Sequence, residues 1–207
     1  MKAKGKRQKP KLAAVRSFLT FAFCLFTFAF VLLPSANAQR DYMTAEEVEI
    51  IREAQEIDLR IEVIVRMMDR RFKVMNIFVA SPWADKKEKE IWGPLPTGER
   101  EELFSDIRKL LDKAISDIDN LNERPDAAIL PDPEEKKPRT FKEMFPVAVR
   151  TLADAAKRYE PVIEKEIDTA TDKKLQGILG RILEDLNDIT EGAAKLPPPE
   201  PKKPKKN

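Results

Sequence analysis

Residues 104–121 read FSDIRKLLDKAISDIDNL, and their apolar positions decide the fold. Phe104, Ile107, Leu111, Ala114, Ile118 and Leu121 are separated by steps of 3, 4, 3, 4 and 3. An α-helix turns every ~3.6 residues, so this alternation gathers all six side chains into one stripe at coiled-coil spacing. A half-buried strand would alternate by two instead. Thr97 precedes the stretch, and Glu99, Glu101 and Glu102 put negative charge where the helix dipole is positive. The spacing predicts a helix over 98–122.

The same arithmetic works outward in both directions. Downstream, Phe145, Ala148, Leu152, Ala155, Tyr159 and Val162 repeat the steps of 3, 4, 3, 4 and 3. Thr140 and Glu143 have the spacing of a capping box, in which a hydroxyl and a carboxylate satisfy each other's backbone amides. A helix over 140–170 follows, with Pro161 expected to kink it and shift its stripe to Ile163 and Ile167. Leu175, Leu179, Ile182, Leu186 and Ile189 then predict a helix over 172–192. It contains Gly177 and Gly180, each costing about 1 kcal/mol against alanine unless a neighbouring helix approaches closely there. Upstream, Thr44 and Glu47 form another capping-box pair. An apolar stripe from Ile51 through Ile61, Val65, Met68, Phe72 and Met75 to Val79 predicts a helix over 44–79. Glu56/Arg60, Glu62/Arg66 and Asp69/Lys73 sit four apart in the order that supports such a helix.

Four seams of similar width, with no strand pattern, predict an all-α four-helix bundle over residues 39–194, most simply up-down-up-down. A helix over 44–79 would run about 54 Å, against about 30 Å for the last, so it should overhang, bend or break. Between the second and third helices lie Pro125, Pro131, Pro133 and Pro138, in a connection longer than bundles usually need. Residues 195–207 hold five prolines, five lysines and one glutamate. That composition predicts an extended, solvated tail of charge +4 on an acidic body.

The first 38 residues are of a different kind. Lys2, Lys4, Lys6, Arg7, Lys9, Lys11 and Arg16 precede an uncharged run, Ser17 to Leu33, that holds six phenylalanines. Pro34 and Ala36-Asn37-Ala38 follow. This is the three-part pattern of a secretory signal, with cleavage expected after Ala38, and it predicts a periplasmic or secreted protein. The competing reading is an uncleaved anchor through residues 17–39, which are nearly long enough to span a bilayer. After cleavage no membrane span is expected. The leader takes with it Cys24, the single cysteine, and no histidine occurs in the chain.

Those absences narrow the chemistry. Ser-His and Cys-His catalysis, histidine-ligated zinc or haem, and thiolate sites are closed. No Gly-x-Ser-x-Gly elbow or phosphate-cradling glycine loop is present. No catalytic residue, metal ligand or cofactor is therefore assigned; a carboxylate-dependent hydrolase is the one enzymatic alternative. Met67, Met68 and Met75 are read as packing rather than as soft-metal ligands.

Two features remain as candidate contacts. Trp83 and Trp92 lie between prolines in the first interhelical connection, where they either cap the bundle or bind a ligand. Glu160, Glu164, Asp168 and Asp172 form a ladder at four-residue spacing, a mildly self-repelling face that a cation or basic partner would relieve. The expected role is an exported, non-catalytic helical domain acting in protein interaction or envelope structure, with another envelope or secreted protein as partner. The alternative is a binding protein for a small apolar or cationic ligand, held between helices or under the Trp83/Trp92 loop. The basic tail suits weak contact with anionic polymers. Nucleic acid is not expected as a partner.

Overall fold

The computed structural model describes residues 40–83, 90–125 and 139–198. The leader with its cleavage site, the alternative anchor, residues 126–138 of the proline-rich connection and most of the tail lie outside these residues. The chain divides into two compact units, Met1–Arg40 and Asp41–Asn207, and the described residues fall almost entirely in the second.

Among the described residues the fold is all-helical, with five α-helices and no strand. They are α1 (Ala45–Glu53), α2 (Ile57–Val74), α3 (Arg100–Glu123), α4 (Phe141–Thr169) and α5 (Lys173–Ala194), with a 3-10 turn at Glu90–Trp92. α4 runs through both Pro146 and Pro161. Across Pro161 the buried positions Ala156, Tyr159 and Ile163 keep the helical spacing, so the expected shift of the stripe to a new face does not occur there.

The expected helix over 44–79 is two helices, and it stops short. Residues 54–56 break it without a glycine or proline. Unbroken, Glu47 and Arg71 would stand about 36 Å apart along one rod. Instead the chain folds back and Arg71 Nη2 lies 2.7 Å from Glu47 Oε2. Ile51 and Ala54 are buried by the same reversal. Arg60 Nε holds the exposed corner by donating to the Ala54 carbonyl at 2.9 Å. Tertiary contact has overridden local propensity here.

α2 ends at Val74 because Asn76 adopts a left-handed backbone, φ 56°. The Ile77 amide then donates to the Phe72 carbonyl at 2.9 Å and the Asn76 amide to Lys73 at 3.1 Å. This pair of bonds is a Schellman motif, which satisfies carbonyls that would otherwise lack partners. Periodicity alone cannot reveal such a stop, because Met75 and Val79 keep the apolar stripe going past it.

The four long helices make a helical bundle whose neighbours are not those of the simplest hairpin succession. α2 packs on α3 and α4, and α5 also packs on α3 and α4. α3 and α4, though consecutive, therefore stand diagonally opposed. Arg71 on α2 lies beside Asp106 near the start of α3, so these two run antiparallel. Arg100 of α3 meets Glu166 near the end of α4, and Lys174 at the start of α5 reaches Glu101 at 2.6 Å. Tyr159 of α4 bonds Val65 and Asp69 of α2, while Arg139, just before α4, reaches Asp58 at the start of α2. α2 and α4 are accordingly parallel neighbours, as are α3 and α5. Crossing the diagonal explains the long connection between α3 and α4.

The core is continuous. Phe72 meets Phe104 edge-on at 6.3 Å and Tyr159 at 5.0 Å, joining α2, α3 and α4. Met67 and Met68 are fully buried, and Met75 packs against the same core. Leu179, Ile182 and Leu186 bring α5 in. Gly177 and Gly180 lie away from this packing: a methyl group added to either would meet nothing within 4 Å. The close helix approach that could have justified them is absent.

Candidate functional site

Sequence reasoning placed charge on the helix surfaces, but a substantial part of it is inside. Arg71 is 1 % exposed and Glu47 0 %. Arg71 donates to Glu47 at 2.9 and 2.7 Å, to the Met67 carbonyl at 2.8 Å and to the Tyr42 carbonyl at 2.5 Å. Buried Asp106 lies 3.9 Å from its Nε. Glu47 also accepts the Thr44 amide at 3.1 Å, so one carboxylate closes the predicted capping box and neutralises a core guanidinium. The planar, bidentate fit of arginine to carboxylate suits this position.

Asp69 is likewise buried rather than paired outward with Lys73. It accepts from Tyr159 Oη at 2.5 Å and Ser81 Oγ at 2.6 Å, with Arg158 at 3.4 Å. Burial first, and then the Asp69 charge, push the Tyr159 hydroxyl well above its ordinary value, so it stays a neutral donor. Asp58, buried in the first turn of α2, is clasped by Arg139, which also donates to Glu56 at 2.7 Å. The Asp58 bond is the main reason the Arg139 guanidinium is held above its ordinary range.

These buried charges position the tryptophan connection. Arg70 donates to the carbonyls of Trp92 at 2.9 Å and Pro94 at 2.5 Å, fixing the loop against the flank of α2. Gly93 is left-handed there, φ 57°, with the Glu46 side chain 2.6 Å from where a Cβ would stand. Trp92 is 3 % exposed. Its ring is faced by Arg66 at 4.5 Å and Arg70 at 5.3 Å, so the protein's own cations already use the indole.

Trp83 is placed differently. It is half-buried and lines an open cleft of about 390 Å³ together with Arg66, Asp69, Lys73, Asn76 and Phe78. Phe78 is 84 % exposed and Ile91, in the 3-10 turn of the same connection, is 59 % exposed. The cleft joins two aromatic side chains to an excess of cationic ones, counting Arg70, against a single buried carboxylate. Such a site suits an apolar group carrying negative charge.

The acidic ladder does not converge. Glu160 is half-buried on α4, Glu164 and Asp168 are exposed, and Asp172 caps α5 by accepting the Lys174 amide at 2.8 Å. Lys157 pairs with Asp154, at 3.9 Å. Among the described residues no group of three or more His, Cys, Asp or Glu side chains is arranged to hold a metal ion. No described helix is long and apolar enough to cross a membrane.

The buried arginines carried one sequence signal. Arg71 stands four after Met67 and one before Phe72, on the apolar stripe itself. Asp106 shares a stripe flank with Phe104 in the same way. Compared with protein-family models, curated proteins and solved structures, the chain shows no match.

Proposed function

We propose that this chain is an exported, non-catalytic helical interaction module, built on a four-helix core, that engages another envelope or secreted protein through the Trp83 cleft. The observation that carries this is Phe78, 84 % exposed at the rim of a cleft lined by Trp83. Leaving a phenylalanine in water forgoes roughly 1.5–3 kcal/mol of burial, which a docked partner would recover. Arg66 and Lys73 favour a partner that presents a carboxylate or other anionic group beside an apolar side chain. The leader's three-part pattern supports export, and the acidic body gives nucleic acid nothing to favour. The lysine-rich tail adds weak, salt-screened attraction to anionic polymers.

The test is site-specific photocrosslinking in cells at Phe78, with exposed Gln176 as the control position. Adducts to a defined envelope protein, lost when Lys73 is also changed to Glu, are expected. Labelling no stronger at Phe78 than at Gln176 would overturn the assignment.

A second reading rests on the cleft's volume and lining: a small ligand takes the partner's place. Because Arg66 and Arg70 occupy the Trp92 ring, that ligand is anionic and aromatic or apolar rather than cationic. A thermal-shift series of aromatic carboxylates against aromatic amines separates the two signs of charge. Stabilisation by the amines alone would sink this version.

A further inference from the structure

A second concavity, chemically opposite to the Trp83 cleft, opens between α3 and α5, with α4 as its base. It holds about 540 Å³. Its floor is aliphatic, with Ile118 and Leu152 buried and Ile115, Val149 and Ile189 half-exposed. Its rim is acidic: Asp112 and Asp119 stand seven residues apart on α3, and Asp185 and Asp188 face them from α5. Because α3 and α5 are parallel neighbours, the two acidic rows run side by side.

The rim is poorly compensated. Asp112 has Arg108 at 3.8 Å. Asp185 Oδ2 is buried without a hydrogen-bond partner. Burial, and secondarily the Asp112 charge, raise the Asp185 carboxyl above its ordinary value, with Arg108 acting against them. A cation arriving over an aliphatic floor would relieve all of this.

We infer that the groove is a docking surface for a lysine-rich, proline-spaced segment, and that its occupant is this chain's own C-terminal segment, residues 199–207. Three observations select that occupant. The first is position: Gly192 and Ala193 line the groove, so the chain leaves α5 at its end. Arg150, next to the floor residue Val149, holds the Pro197 carbonyl at 2.6 Å. The second is reach. The groove from Ala193 back to Asp185 covers about 12 Å of helix, and nine residues in an extended polyproline form span about 28 Å. The third is chemistry. Lys202, Lys203, Lys205 and Lys206, less Glu200, leave the segment a side-chain charge of +3 facing four aspartates, and Pro199, Pro201 and Pro204 suit an aliphatic floor.

Each contact is weak, since exposed ion pairs contribute about 0–1 kcal/mol. Covalent connection compensates, because a short tether holds the segment at millimolar effective concentration. The interaction is therefore populated in one molecule and weak between two. It does not depend on the Trp83 reading.

The test uses the chain as cells accumulate it, beside a form ending at Pro198, with methyl NMR of Ile115, Val149 and Ile189. The full chain is expected to shift these three signals relative to the truncated form. The peptide 199–207, added in trans at millimolar concentration, should restore them, at least about tenfold more weakly at 0.5 M than at 0.05 M salt. Unchanged methyls on truncation would overturn the inference. So would equal restoration by a scrambled-charge peptide with aspartates in place of lysines. Carbodiimide crosslinking of mixed isotope-labelled chains supplies the second measurement. Lysine–aspartate links within one chain support the assignment, and links mainly between chains refute it in favour of a second copy.

Discussion

At the scale of single residues, the molecule depends on charges placed where water cannot reach them. Arg71 serves Glu47, Asp106 and two backbone carbonyls together. Removing it strands buried carboxylates, so Arg71→Met should cost about 3–5 kcal/mol in urea denaturation. The double variant Glu47→Gln, Arg71→Met should lose less than the sum of the two single changes. Tyr159 gives a pH signature. Its folded hydroxyl is held well above 10.0, whereas the unfolded one ionises near that value. The stabilisation is complete below about pH 10 and is lost as pH rises above it, by at most about 1.4 kcal/mol per unit. Tyr42 shifts in the same direction, so the comparison is with Tyr159→Phe, whose stability should fall less steeply between pH 9.5 and about 11.

At the scale of elements, most of the helices were legible and their interruptions were not. The seams of α3, α4 and α5 declare themselves because local period and burial agree, down to the Thr140 amide bonding Glu143 at 2.8 Å. The break at 54–56 has no local cause. The reversal brings Glu47 to Arg71, 24 residues away, and buries Ile51 and Ala54, contacts that no local pattern announces. Of the tryptophans, the sequence could show their clustering but not that Arg70 would seat one and leave the other beside a cleft. α5 also carries a correctable weakness. Gly177→Ala and Gly180→Ala meet no neighbour. Each should raise stability by about 0.5–1 kcal/mol in the same urea assay, without altering capture by the Phe78 crosslinker.

At the scale of the whole molecule, four helices with alternating directions were readable, but their neighbours were not. Seams say which face is buried, not against what. The length of the link before α4 was the only hint that the chain crosses a diagonal. Spin labels at Asp119 and Gly192, which line one groove, should lie within about 20 Å of each other. Labels at Asp119 and Gln176 should be farther apart by most of the roughly 24 Å that separates residues 176 and 192 along the helix. A short Asp119–Gln176 distance would refute the parallel placement of α3 and α5.

That diagonal step has a consequence for assembly. The bundle is two antiparallel helical hairpins, α2–α3 and α4–α5, laid against each other, and the chain passes from one to the other once, between Glu123 and Phe141. Each half has an antiparallel pair to form early, while the Phe72–Tyr159 and Arg139–Asp58 contacts wait for the halves to meet. Severing the chain anywhere within residues 126–138 should therefore leave a two-piece protein that stays associated. Coexpressed fragments should copurify and melt together, with a midpoint that rises with concentration. Of the two long connections, 75–99 and 124–140, the second is the one this molecule should best survive losing.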